Sequence, residues 1–321
     1  MIKEILLIII GFLLLIIGAD ILVKGSSNIA KKFRIPEVII GLTIVCIGTS
    51  MPELLITVNS AIKNDTDLII GNAIGSNLCN LLLILGIASI LKPVKVDEEI
   101  KKFHLPVAIF ATFIVWLFSN LDIGSGHFTI GRIEGIILLA LFVIYFSFPI
   151  FTAIKDIIKE EKKIKKPRKN ISIITAVILI IIGIIMLKYG SDFVVDNCKD
   201  IATKIGISER IIGLTIVAIG TALPELVTTI VATIKKDASI AIGNLVGSCM
   251  LNLWLILGIG SIITPLEVSI EFNFNLILLL FSTTLVLIFS HYIGKNNVIT
   301  KLEGTILILV FIVYIISLIV Y

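Results

Sequence analysis

Glu53, in the stretch GTSMPEL, and Glu225, in GTALPEL, are carboxylates set in the middle of otherwise apolar sequence. A carboxylate at the centre of a bilayer costs roughly 2.5 kcal/mol or more and is rarely kept there without a partner. Each follows a proline, and a proline inside a span cannot donate the hydrogen bond that the carbonyl four residues earlier expects. Pro52 deprives Gly48 and Pro224 deprives Gly220, so the helix is expected to break in each place. The break exposes backbone carbonyls near Thr49 and Thr221, right beside a carboxylate. Carboxylate plus carbonyl oxygen suits a hard cation. Ca²⁺ takes about 6 to 8 oxygens at ~2.3 to 2.6 Å, a number that two carboxylates, freed carbonyls and a water or two can supply. Further along stand Asn72, Gly75, Ser76 and Asn80, and, in a second stretch, Asn244, Gly247, Ser248 and Asn252. Ser76 and Asn80 are four apart, as are Ser248 and Asn252, so each pair shares a helix face and can turn toward its own glutamate. Taken singly, a membrane-helix proline is a tolerated kink and Ser, Asn and Gly are packing residues. Their joint repetition is what points to a site.

The elements that position these residues form an internal repeat. Residues 37–86 and 209–258 align without a gap at a constant offset of 172, with 29 of 50 positions identical. One ionisable residue per copy, beside a proline and several glycines, marks a transport site between two halves of a membrane protein. The composition agrees, because a chain that is 57% apolar with mean hydropathy +1.12 has more apolar surface than a soluble core of 321 residues can use. Its apolar runs have the ~20 residues a helix needs to cross lipid, and the short alternating strands of a barrel are missing. The expected fold is an all-α membrane protein. Ten transmembrane helices are predicted, at about 4–23, 36–62, 67–91, 103–121, 130–152, 172–193, 208–233, 238–263, 272–292 and 301–320. Residues 1–152 form the first five-helix half and 172–321 the second, joined by a charged linker over 153–171 that is too short for a folded regulatory domain. The stretch 4–23 lacks a small-x-small cleavage site and repeats as Gly190 and Asp192, so it reads as a retained helix rather than a leader.

Lysine and arginine accumulate in cytoplasmic loops. The loops after spans 1, 3, 5, 7 and 9 hold 20 of the 27 basic residues and the other side holds 7, which puts both termini outside and the linker in the cytoplasm of a cell-membrane protein. Five is odd, so the second half crosses the bilayer in the opposite sense to the first: the repeats are inverted, and Glu53 and Glu225 lie at matching depths. The net charge of +4 carries no signal for nucleic acid. Cys46, Cys79, Cys198 and Cys249 lack CxxC spacing and read as packing residues rather than disulfides, and His104, His127 and His291 form no ligand pattern. Asp20 and Asp192 are expected near span ends, where interfacial solvation or helix packing accounts for them.

With GTSMPEL and GTALPEL each followed by GNxxGSxxxN, the sequence resembles the α-repeats of the calcium/cation antiporter superfamily, most closely its prokaryotic sodium/calcium exchangers. The GNAxE-type motif typical of proton/calcium exchangers in that superfamily is missing. The resemblance implies alternating-access exchange of Na⁺ for Ca²⁺ at a central cluster of four cation sites, with spans 1 and 6 sliding past the core. On matching positions it implies a calcium site made by the Glu53 and Glu225 side chains with the Thr49 and Thr221 carbonyls. It implies sodium sites drawing on Ser50, Ser76, Ser248 and Asn80, and on carbonyls at Cys46 and Ala218. Two positions depart from the family pattern: Ala222 stands where many members have a second serine, and Asn252 where some prokaryotic members have aspartate.

The expected function is therefore secondary antiport of Na⁺ and Ca²⁺, with no cofactor, lipid as surroundings and a monomer sufficient. Proton-coupled calcium exchange is the alternative, because two nearby carboxylates in low dielectric raise each other's proton affinity. An intramembrane protease would need HExxH or a Ser/His pair, which the sequence lacks. A channel would usually draw its symmetry from several subunits, whereas this chain carries its symmetry within itself.

Overall fold

The computed structural model describes residues 2–121, 128–160, 172–206, 218–293 and 297–320. They form helices α1 (Ile2–Phe33), α2 (Glu37–Thr49), α3 (Met51–Ile62), α4 (Thr66–Leu91), α5 (Ile100–Asn120) and α6 (Arg132–Glu160) in the first part of the chain. Helices α7 (Ile173–Lys204), α8 (Ala218–Thr221), α9 (Leu223–Ile234), α10 (Ala238–Ile263), α11 (Ile270–Ile288) and α12 (Lys301–Val320) follow. Among the described residues eight helices are long and apolar enough to cross a membrane, and α2 with α3 makes one further span bent by 48°. The span expected over 208–233 is described only as α8 and α9, its beginning lying outside the described residues.

Two helices outrun their expected lengths. α1 and α7 each have 32 residues, about 48 Å of helix against a hydrocarbon core of ~30 Å, so they project well beyond it. Hydropathy loses such a helix where it leaves lipid, since Asp20, Lys24, Asp192 and Asp196 end the apolar run without ending the helix. Asp20 and Asp192 thus mark where the apolar run ends within a longer helix, and both are ion-paired, Asp20 with Lys235 and Asp192 with Lys188. α6 likewise continues through Glu160, into the stretch expected as a linker. The sequence KDIIKE is rich in good helix formers.

α1 and α7 pack along one another with backbones nearly touching. A Cβ on Gly11 would stand 2.8 Å from the Gly190 carbonyl oxygen, and one on Gly18 3.0 Å from that of Gly183. In lipid no hydrophobic force draws helices together, so small residues that allow such approach hold the pair. The centre belongs to α4 and α10, whose most apolar windows are 72% and 78% buried, against 28% for α1, α7 and α12. Both contain a π-helical turn, Cys79–Ile84 and Leu251–Ile256, at matching positions of the repeat. α2 crosses α10 at Gly41 and Gly243, where an added Cβ would lie 2.6 Å from the Ile240 carbonyl oxygen or 2.5 Å from that of Val38.

Two short antiparallel strand pairs tie loops at the ends of the bundle. β1 (Val94–Lys95) pairs with β4 (Val298–Ile299), and β2 (Thr129–Ile130) with β3 (Leu266–Glu267). Beside the first pair, Lys101 and Lys102 bind Glu98 and hold its carboxyl down at about 2. All four cysteines are free. His104 is buried against the Tyr145 hydroxyl at 2.6 Å, a packing role.

Candidate functional site

The bent span and its counterpart build the site. Ser50 leaves helical geometry (φ −91°, ψ 12°) between α2 and α3, and Ala222 does the same (φ −85°, ψ 1°) between α8 and α9. Pro52 and Pro224 sit in the first turn of α3 and α9, where a missing N–H costs least. Glu53 and Glu225 therefore lie in first turns as well, at the positive ends of the two helices. The Gly220 carbonyl, which Pro224 cannot serve, accepts the Ser191 hydroxyl of α7 at 2.7 Å.

Both carboxylates are only 1% exposed, and Oε2 of each is buried without a hydrogen-bond partner. Ser50 and Glu53 stand at the spacing of a capping box, yet Ser50 makes no side-chain cap. Its hydroxyl instead donates to Glu225 Oε1 at 2.7 Å and meets Ser248 Oγ at 3.0 Å. That contact joins the first stretch to the second directly.

The other expected residues lie on α2, α4, α8 and α10. Thr49 ends α2, and its hydroxyl reaches Asn244 Oδ1 at 3.1 Å. Thr221 holds the equivalent place at the end of α8. Ser76, Asn80, Ser248 and Asn252 are all buried, and Asn80 Oδ1 and Asn252 Oδ1 have no partner. Asn72 donates to the Glu53 carbonyl at 3.3 Å. The Cys46 carbonyl is already engaged, accepting from Ser50 N at 3.0 Å and Thr49 Oγ1 at 3.3 Å. Ala218 begins α8, and its side chain lies outside the described residues.

Sequence reasoning passed over Asn77, which donates to the Cys249 carbonyl at 3.1 Å and accepts from Asn252 Nδ2 at 2.9 Å. Its counterpart in the repeat is Cys249, so matching the copies hides it; a third amide in the same apolar span as Asn72 and Asn80 was the available signal. Thr228 and Thr229 were also missed, both buried on α9 beside Glu225, with Thr229 Oγ1 accepting from Asn244 Nδ2 at 3.5 Å.

Chemically this is a buried cluster of oxygens with two carboxylates and unspent acceptors. Among the described residues no three His, Cys, Asp or Glu side chains converge. A cation here would be held by two carboxylates and neutral oxygens, a donor set for hard ions rather than for zinc or copper.

Comparison with known proteins decides the family. The family model described as sodium/calcium exchanger protein matches residues 3–151 and again 175–320. The chain belongs to the sodium/calcium exchanger family. Among its relatives are the inner membrane protein YrbG of Escherichia coli (strain K12), 35% identical over 82% of this chain and 81% of that one. The sodium/calcium exchanger MaX1 of Methanosarcina acetivorans is 29% identical over 98% and 97%. A solved structure of the sodium-calcium exchanger NCX_Mj superposes with a TM-score of 0.84 at 30% identity, covering 99% of both chains. This exchanger-family chain thus shares its membrane fold with NCX_Mj over nearly its whole length.

Proposed function

We propose that this exchanger-family protein, a transporter and not an enzyme, exchanges Na⁺ for Ca²⁺ by alternating access and extrudes Ca²⁺ from the cytoplasm. The observation that carries the reading is the pair of fully buried carboxylates, one from each repeat, each left with an unpartnered oxygen, with Ser50 of the first repeat donating to Glu225 of the second. A buried charge of −2 is costly unless cations balance it. One Ca²⁺ or two Na⁺ does so. Glu53 and Glu225 with the Thr49 and Thr221 carbonyls form the calcium site in this reading. Ser50, Ser76, Ser248, Asn80, Asn252 and the carbonyls of Cys46 and Ala218 serve sodium. No cofactor is required, and one chain in a lipid bilayer suffices.

The same proposal has ten spans in two inverted halves, 1–152 and 172–321, joined by the cytoplasmic stretch 153–171, with both termini outside. The strand pairs support it. β1 follows the third expected span and β4 the ninth, while β2 follows the fourth and β3 the eighth, so odd-numbered loops meet each other and even-numbered loops do likewise. Inverted halves of five spans require that pattern. The twofold match of the family model supports the division into halves.

Alternating access draws support from an asymmetry between the copies. Asp20 on α1 is paired with Lys235 at the end of α9. The repeat-related residues are Asp192 and Lys63, yet Asp192 pairs with Lys188 of its own helix and Lys63 is exposed. Among the described residues one side of the site carries this ion pair between α1 and α9 and the other side lacks its counterpart, an asymmetry expected of a carrier open to one side at a time. With termini outside, the tied side is cytoplasmic.

Uptake of radioactive calcium into proteoliposomes tests the function. An outward sodium gradient should drive uptake and its removal should abolish it. Uptake that follows an imposed pH gradient and ignores sodium would replace sodium coupling with proton coupling.

A further inference from the structure

We propose that Asn77 is the positioning residue that fixes which end of the Asn252 side-chain amide faces the transported cation. The inference rests on the reading of Asn252 as a cation ligand and adds the device that makes it one.

An asparagine side chain is nearly symmetric in shape but not in chemistry. One end carries two donors and the other accepts, and turning the terminal torsion by half a turn exchanges them. A cation site tolerates only the oxygen. Asn252 therefore needs something to forbid the wrong orientation, and Asn80, its counterpart, has the same need.

The hydrogen bonds around Asn252 run in one direction. The Cys249 carbonyl can only accept, so the Asn77 side chain must turn its –NH₂ toward it, and the two lie 3.1 Å apart. That leaves Asn77 Oδ1 facing Asn252. An oxygen there calls for a donor, and Asn252 Nδ2 supplies it at 2.9 Å. The Asn252 oxygen is then turned away from Asn77, buried and without any partner. A backbone carbonyl, whose polarity cannot change, thus sets the polarity of two amides in series.

The clamp is held on rigid ground. Asn77 is fully buried on α4, just ahead of that helix's π-helical turn, and Cys249 lies just ahead of the matching turn in α10. Such turns are frequent at functional sites. Asn77 and Cys249 are 172 residues apart, the repeat offset itself, so the residue meets the backbone of its own counterpart. The second copy has Cys249 at this position, hydrogen-bonded to Asn80, and a thiol gives and takes hydrogen bonds more weakly than an amide. The amide clamp acts on Asn252 and a weaker thiol stands in its place beside Asn80, so the two amides of the site differ in how firmly they are oriented.

The test uses the dependence of calcium exchange on sodium in proteoliposomes, with five variants. Asn77→Ala should raise the sodium concentration for half-maximal exchange by about fivefold, the loss of roughly one neutral hydrogen bond. Asn77→Cys, which installs the side chain this fold already carries at position 249, should do the same and guards against a folding failure of the alanine variant. Asn252→Asp supplies two equivalent oxygens that cannot be turned the wrong way. On that background Asn77→Ala should cause no loss of sodium affinity, changing it by less than about twofold. Equal loss on both backgrounds would mean that Asn77 only packs, and would overturn the proposal, as would an unchanged sodium dependence in Asn77→Ala and Asn77→Cys. Asn252→Leu separates the two levels. If it weakens sodium while the Asn77 variants do not, the clamp alone is wrong; if it leaves sodium dependence untouched, the ligand reading fails and takes the clamp with it.

Discussion

Replacing Ala222 with serine should strengthen sodium binding and leave calcium binding nearly alone. Ala222 occupies the break between α8 and α9 as Ser50 occupies the break between α2 and α3. Ser50 shows what a hydroxyl does there: it donates to the glutamate of the other copy at 2.7 Å and touches that copy's serine at 3.0 Å. By the repeat, a hydroxyl at 222 is directed at Glu53 and Ser76. Glu53 Oε2 is buried and unpartnered, so the new group meets an unspent acceptor. A hydrogen bond to a charged group nets about 1.5 to 3 kcal/mol. Taking the low end, and allowing that the free carboxylate gains as well as the loaded one, the net advantage to sodium is about 1 kcal/mol, or roughly fivefold in half-saturating concentration. The position is 1% exposed, so the added oxygen also crowds its neighbours. Overpacking of about 1 to 3 kcal/mol lowers the unfolding temperature without shifting a binding curve. The assay is calcium exchange in proteoliposomes across a sodium series, repeated across a calcium series at fixed sodium. A sodium curve that stays put, or a calcium curve that moves as far, would refute the reasoning.

Glu53→Gln and Glu225→Gln each remove one of two central charges while keeping size, and calcium flux should fall almost to background; retention of half the unmodified rate in either would contradict a two-carboxylate site. Three Na⁺ facing a charge of −2 leave the loaded site at +1, so calcium flux should respond to a clamped vesicle potential, and indifference to it would favour a two-for-one or proton-coupled cycle. Cysteines at Lys163 and Glu267 should be labelled from the cytoplasm and from outside respectively, the reverse pattern overturning the orientation. Exposed ion pairs are worth about 1 kcal/mol at most, so Asp20→Asn should shift the balance between the two access states by no more than about fivefold, with the double exchange Asp20→Lys and Lys235→Asp restoring it, as read by accessibility labelling.

Much of this architecture was legible because lipid makes sequence patterns strict: apolar runs must span, and a buried carboxylate must have a reason. The breaks at Ser50 and Ala222 followed from Pro52 and Pro224, and the structure has both. Helix ends outside lipid were not legible, since Lys31, Lys32 and Lys204 in the last turns are as polar as a loop. Contacts between copies were also hidden. Ser50 stands at the spacing of a local cap for α3, and only the packing of α2 against α9 and α10 shows that it reaches Glu225 and Ser248. Asn77 escaped for the opposite reason: the repeat drew attention to what the copies share, and its role comes from where they differ.

The central claim is that Glu53 and Glu225 share one cation between them, and anomalous scattering from crystals soaked in calcium tests it most directly. The account predicts a peak about 2.3 to 2.6 Å from a carboxylate oxygen of each glutamate, fading as sodium in the soak is raised. A calcium peak away from both carboxylates, or one between them that sodium does not displace, would contradict it.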